Sequence, residues 1–325
     1  MHQITECTAS VIKAREKGAS VMLIYGAHLL RNGAATILDR LMADDWITHL
    51  ATNGAGTIHD FEYAFLGGST ESVKENVANG TFGAWDETGR AIILALLSGG
   101  LSHKGYGYSL GKYIHQDGCE LPSPDTLRRQ ISSDPSNHLT SARADCLQVM
   151  EEFALKPGFH ATSHRWKHGS VLSSAFAYDI PFSVHPGIGY DIITNHPMFR
   201  GSVVGRASDL DFGLFTEALE GLDHGTVLSI GSAIMGPQVF EKSLSCVHNL
   251  RKQENRDGVM GHSIHVVDLQ EGNQWDWKKG EPPKTHPAYY LRFCKSYSRM
   301  GGKMHYIQCD NAAFIQQLYH SLKNK

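Results

Sequence analysis

The sequence predicts an α/β protein: a Rossmann-like parallel sheet with helices on both faces. One observation is a recurring unit in which a short β-prone run passes through a loop of Gly or small polar residues into a segment of helical period. A second is that these strands alternate with helices, which implies a parallel sheet covered on both faces, since parallel strands need crossover connections. A third is composition: 325 residues, 41% hydrophobic and 19% charged, suffice for a sizeable core.

The units follow in chain order. "SVMLIYGAHLLRNGAATILDRLMADD" gives a strand to about Tyr25, a loop, and a helix with Ile37, Leu38 and Leu41 on its apolar face. "THLATNGAGTIHDFEYAF" repeats the pattern, as do "IPFSVHPGIGYDIITNH" and "TVLSIGSAIMGPQVFEKSLSCVHNLRK". "HSIHVVDLQEG" adds a buried strand. The closing "MHYIQCDNAAFIQQLYHSLKNK" places Asp310 between strand and helix, at the N-cap position. Between about 80 and 165 the pattern weakens into segments richer in Gly, Pro, Ser and Asn. One domain, 1–325, with a loop-rich excursion there is the expected organisation.

Composition also excludes classes. The formal charge of -3, without a long Lys/Arg run, gives no footprint for nucleic acid. The longest apolar run, "AIILALLSGGL", is too short to span a bilayer, and the polar start "MHQITECTASVIKARE" is unlike a secretory signal. No membrane partner and a cytoplasmic location are therefore expected. Six cysteines without CxxC spacing read as reduced thiols.

In open α/β sheets, ligands bind beyond the carboxyl ends of the strands, where loop amides point at anions. The Gly loops of the repeated units fall at such ends. Gly54 and Gly56 would let a backbone approach a pyrophosphate, as would Gly231 and Gly236 in "GSAIMG". Neither loop is a full GxGxxG, and "GSAIMGPQ" lacks the Lys-Ser/Thr of a P-loop. Glycines that merely make turns are the competing reading. "KGYGYSLGKY" invites a phosphate-loop reading through Gly105, Gly107 and Gly111, or that of a lid or subunit-contact loop.

Through these same stretches the chain resembles deoxyhypusine synthases. The likeness runs from "KGASVMLIYGAHLLRNGAATILDRLMADDWITHLATNGAGTIHDFEYAFLG", through "HGSVLSSAFAYDIPFSVHPGIGYDI" and "VLSIGSAIMGPQVFEKSLS", to "HSIHVVDLQEGNQ" and "HYIQCDNAAF". It implies a sheet that binds NAD along Ala27 and His28, along Asn53, Gly54 and Ala55, and at Gly231, Asp268, Leu269, Asp310 and Asn311. It also implies a homotetramer acting on a small molecule.

The substrate side of the resemblance departs from the family. His59 stands beside Asp60 where the family holds a polyamine ammonium with an acid, and a neutral imidazole cannot supply that attraction. Asp191 matches a family acid, and His185 ends a buried strand facing the loops. Lys295 lies eight residues after Pro287, the spacing of the family's imine-forming lysine, but follows Phe293 and Cys294 instead of Trp-Gly. The family's acidic run is replaced by "EGNQWDWKKG", with Glu271 and Asp276 as its acids.

The first functional reading is thus an NAD-dependent enzyme of deoxyhypusine synthase type, working in amine or group transfer but not on spermidine. Its substrate side would be Lys295, His59, Asp191 and His185. A metal-assisted hydrolase is the second, since "HATSHRWKH" spaces His160, His164 and His168 four apart and a helix would align them. A non-catalytic dinucleotide-binding protein is the third.

Overall fold

The computed structural model describes residues 2–69 and 72–324. Its strands are β1 (Val21–Tyr25), β2 (His49–Asn53), β3 (Gly118–Leu121), β4 (Gly158–Ala161), β5 (Phe182–His185), β6 (Thr226–Ile230), β7 (Ser263–Asp268) and β8 (Lys303–Gln308). The chain divides into two compact units. One comprises residues 1–56, 180–185 and 212–325; the other comprises 57–179 and 186–211.

The first unit holds a six-stranded sheet in the order β5-β2-β1-β6-β7-β8, parallel throughout. Counted along the chain, its strands therefore lie third, second, first, fourth, fifth, sixth. That is the doubly wound Rossmann order, whose direction reverses between β1 and β6. Register aligns Leu23 with Leu50 on one side and Leu228 on the other. Every residue of β1 and β6 is buried, which is why β1 reads as an unbroken apolar run and β6 departs from one only at Thr226 and Ser229.

Helices close the sheet. Ala35–Ala43 buries Leu38, Leu41 and Met42, the i, i+3, i+4 set of one face. Ile37, expected on that face, sits at its half-buried margin, and Met42 takes the place assigned to it. Met22, Ile24, Phe215, Phe240, Tyr297 and Trp277 share one core cluster. Six segments read as strands from sequence are the six strands of this sheet.

The second unit is mostly helical, and the stretch expected to be loop-rich supplies much of it. The run "AIILALLSGG" ends the helix Asp86–Gly100, which is buried nearly all round as the central helix of a small core. Tyr106–Gln116 and Val171–Ala177 pack with each other, and β3 pairs antiparallel with β4. The helix Pro124–Ser133 starts by a readable rule: Ser123 Oγ accepts from the Thr126 N–H at 3.1 Å, and Pro124 opens the first turn. Among the described residues no helix is long and apolar enough to cross a membrane. The six cysteines are free thiols, with Cys7, Cys119, Cys146 and Cys294 buried.

Candidate functional site

The carboxyl ends of the central strands are tied together past the strands themselves. The Gly26 N–H donates to Ile230 O at 3.1 Å, Gly231 N–H to Val267 O at 2.9 Å, and Cys309 N–H to Asp268 O at 3.1 Å. The loops therefore leave the sheet side by side at one rim. At the reversal point the backbones crowd: a Cβ at Gly26 would lie 2.1 Å from the Gly231 carbonyl oxygen. Gly231 itself has φ +59°, and a Cβ there would come within 2.4 Å of Asn311 Nδ2. Asn311 is buried, and its Oδ1 has no hydrogen-bond partner among the described residues. Glycines where backbones crowd are a feature of the switch point in such sheets, and the unpartnered buried carbonyl oxygen of Asn311 beside them calls for a donor.

The other rim residues divide by role. Asn53 Oδ1 accepts from the Gly56 N–H at 2.9 Å and caps the helix Gly54–Leu66; a Cβ at Gly56 would meet Thr52 Oγ1 at 2.2 Å. Thr52 in turn donates to Tyr25 O at 2.9 Å. Gly54 and Ala55 form the first turn, with its amide donors at the strand end. Ala27 precedes the short helix His28–Arg31 next to Gly26, and the His28 side chain is exposed. Asp310 Oδ1 caps the helix Asn311–Lys323 by accepting from Ala313 N–H at 2.8 Å, and Asp268 Oδ1 accepts from Gln270 N–H at 2.9 Å. Leu269 is exposed beyond Asp268.

His185 ends β5 in register with Asn53. Its Nε2 lies 3.2 Å from Ser183 Oγ, which lies 2.9 Å from His49 Nε2. Both rings meet Phe215 edge-on. Burial, with the neighbouring His185, pushes the His49 imidazole down to about 3, and burial pushes His185 down to about 4, so both are neutral near pH 7. His49 Nδ1 has no hydrogen-bond partner among the described residues. The least costly proton arrangement puts the His49 hydrogen on Nε2, donating to Ser183, whose O–H then donates to His185 Nε2. His185 is left with its proton on Nδ1, as a donor and not a base.

The same unit contains a cavity of about 770 Å³, with Glu271, Trp275, Asp276, Trp277, His286 and Tyr306 in its wall. Glu6, also in the wall, bridges Lys278 Nζ at 3.2 Å and His305 Nδ1 at 3.3 Å. Trp277 is buried, and its indole N–H has no partner among the described residues. Asn273 and Gln274, both lining residues, take consecutive left-handed conformations at φ +50° and +54°. Lys295 does not line this cavity. Its Nζ is 3.0 Å from Glu281 and 3.5 Å from the Tyr289 ring centroid, two contacts that suit an ammonium.

His59 and Asp191 belong to the second unit. His59 Nδ1 lies 2.9 Å from Ser69 Oγ and 3.4 Å from Glu62 Oε2, while Ser69 donates to Glu62 at 2.9 Å. One ring nitrogen thus serves both partners, which rules out a serine-histidine-acid relay through this imidazole. Buried Asp191 accepts from the Gly187 N–H at 2.7 Å; burial raises its carboxyl above the usual range, opposed by that amide.

The helix expected to align His160, His164 and His168 is not formed. Residues 158–161 are strand β4 and 167–169 a 3-10 turn, because β4 pairs with β3 and places His160 opposite Cys119. His164 is buried against Phe61, Phe65 and Tyr113, with its N–H on Asp117 at 2.9 Å. Among the described residues no group of three or more His, Cys, Asp or Glu is placed to hold a metal ion.

Sequence reading missed Gly26, the His49–Ser183 pair and the tryptophan-lined cavity. Polar residues inside runs read as buried parallel strands were the available signal for His49 and Ser183.

No protein-family model matches the chain, and no curated protein matches it. Among solved structures it is similar to AgrE in ternary complex with ornithine and NAD+, at 14% identity and a TM-score of 0.48, covering 99% of this chain. Unliganded AgrE gives 15% identity, 99% coverage and 0.47. ArgZ, an arginine dihydrolase of the ornithine-ammonia cycle in cyanobacteria, gives 13%, 99% and 0.43. The chain spans about a third of the length of each, 32%. The Rossmann-like assignment rests on the strand order of the sheet itself.

Proposed function

We propose that the first unit binds NAD across the β1/β6 switch point and that the protein is an NAD-dependent enzyme of deoxyhypusine synthase type, acting on a small amine other than spermidine. One observation carries this reading: Gly26, Gly231 and Asn311 form a cradle that a single Cβ would fill, next to an unpartnered buried Oδ1. Asn311 would accept from the ligand, and the N-terminus of the helix Gly54–Leu66 would lie toward its phosphates. Exposed Asp310, whose second carboxylate oxygen has no partner among the described residues, would take a ribose hydroxyl. When bound, NAD supplies a hydride acceptor for oxidation at an amine carbon.

The remaining roles fall to this chain's own side chains. Glu271 and Asp276, which share the cavity wall with Trp275 and Trp277, would hold an ammonium by charge and ring face. His185, fixed as an Nδ1–H donor, would orient a substrate and not deprotonate it. Lys295 would have to leave Glu281 before it could serve as a nucleophile. That ion pair favours a second reading, dinucleotide binding without covalent catalysis. The tetramer of the resembled family is part of the first reading.

Titration calorimetry with NAD+ tests the cradle. One saturable site per chain is expected, with loss of binding in Gly231→Val. No heat with wild-type protein overturns the NAD assignment. Retained turnover of an amine substrate in Lys295→Ala would support the hydride step without covalent capture.

A further inference from the structure

We propose a second ligand site, wholly within the helical unit: a cleft between the helices Asp86–Gly100 and Tyr106–Gln116 that binds a small phosphate ester with a flat, aromatic-sized body. The cleft has a volume of about 270 Å³ and is lined by residues of these helices, of β3 and of Phe159 on β4. It takes up "KGYGYSLGKY", but not as a phosphate loop. The Gly107 N–H, a first-turn amide that such a loop would offer, is taken by Asp211 Oδ2 at 2.9 Å. Gly105 and Gly111 serve close packing, since a Cβ would fall 1.8 Å from Asp211 Oδ1 and 2.6 Å from Leu172 O respectively. The chemistry lies in the side chains.

Spacing along the second helix places Tyr108, Lys112 and Gln116 at four-residue intervals, hence on one face, with Lys104 just before its first turn. All four line the cleft. Neither Lys104 nor Lys112 makes an ion pair among the described residues, whereas Arg90, Arg128, Arg206 and Arg251 are all paired. Ser102, just past the end of the facing helix, brings a hydroxyl to the same space, whereas Ser98 donates to Glu120 O at 3.2 Å and Ser109 to Gly105 O at 2.5 Å. The facing is close because residue 99 is glycine: a Cβ there would lie 1.8 Å from Ser109 Oγ. Glu120 is the one carboxylate in the wall, so two cations against one anion leave the cleft positive.

Two ammonium groups, with the Ser102 hydroxyl beside them, match a dianionic phosphate ester better than a monoanion. The rest of the ligand is indicated by ring surface. Tyr108 is 37% exposed and Phe159 56% exposed, both lining the cleft, and Lys104 Nζ lies 4.8 Å from the Tyr108 ring centroid. A flat body against those rings, with its phosphate toward the lysines, uses both features. The cavity sits near the lower end of ordinary ligand pockets, about 300 Å³, which restricts the guest to one ring and one phosphate.

The test uses the full chain and three probes: phenyl phosphate, inorganic phosphate and benzoate, titrated with NAD+ present and absent. Saturable binding of phenyl phosphate is expected, tighter than either other probe and indifferent to NAD+. Lys104→Ala and Lys112→Ala should each weaken phenyl phosphate about tenfold, in line with loss of one charged contact. Tyr108→Ala should weaken phenyl phosphate but leave inorganic phosphate unchanged. Both lysines are exposed, so unchanged melting curves confirm folding and Lys112→Arg should retain binding. No saturable binding of phenyl phosphate, or binding unmoved by both lysine variants, overturns the proposal. Benzoate binding as tightly as phenyl phosphate overturns the dianion assignment. Because NAD+ binding is measured on the same sample, failure here is separable from failure of the cradle.

Discussion

The hydroxyl oxygen of Ser183 lies 2.9 Å from Nε2 of His49, inside a sheet where Ser183 is fully buried and His49 is 1% exposed. Removing the hydroxyl leaves two imidazoles with an unmet polar atom each. Ser183→Ala should therefore destabilise the fold by ~1–3 kcal/mol, read from urea unfolding. The same variant should release the tautomer of His185, visible as a changed ring-nitrogen pattern in 15N NMR. An unchanged pattern would remove the donor role assigned to that ring.

Acid should unfold the protein through these rings. His49 and His185 are neutral when folded, near 3 and 4, against an ordinary value of 6.5. A base whose folded value is depressed contributes stability that is complete above the unfolded value and declines as pH falls toward the folded one. Stability should fall from about pH 6.5 down to about 4, with each imidazole contributing a slope of about 1.4 kcal/mol per pH unit. His262 and His265, pushed by burial to about 4 and about 3, act in the same sense. Asp60, pushed by burial up to about 6, acts in the opposite one, its contribution being lost as pH rises. His49→Gln should flatten the slope measured by denaturant titration between pH 7 and 5.

At the rim, Gly26 and Gly231 fail differently when substituted. Gly26→Ala drives a methyl into a backbone carbonyl 2.1 Å away, so the strand end must shift and the melting temperature should drop. Gly231→Ala adds ~1–2 kcal/mol of left-handed strain and pushes on the Asn311 amide. It should weaken NAD+ more than tenfold while retaining the fold, as circular dichroism and calorimetry on one sample would show.

Asp60 anchors a helix. Its carboxylate accepts from Ser170 Oγ, from Val171 N–H at 2.8 Å and from Leu172 N–H at 3.1 Å. Asp60→Ala strands these buried donors and should cost ~2–4 kcal/mol, whereas Asp60→Asn should recover part of that loss. Equal unfolding midpoints for wild type and Asp60→Ala would contradict the anchoring.

Much of the sheet was legible because most strands are short β-prone runs ending at or next to a Gly, Asn or Asp, as at Gly26, Asn53, Gly231 and Asp268. The rim followed from it, since loops after parallel strands must emerge at one edge. Individual roles were less legible. Asp310 is both strand-end acid and helix cap, and only its hydrogen bond to Ala313 shows which oxygen is engaged. His160, His164 and His168 carry a helical spacing that the pairing of β4 with β3 overrides. Lys295 keeps a family spacing, yet its contacts with Glu281 and Tyr289 arise from residues whose approach no linear pattern encodes.

The bonds from Gly26, Gly231 and Cys309 to the neighbouring strands extend the ladder into the loops. Those three amides should exchange with deuterium as slowly as strand interiors, unlike ordinary loop amides. A guest arriving there would meet a frame already set, so its capture would require little ordering and would leave the exchange rates of these amides almost unaltered.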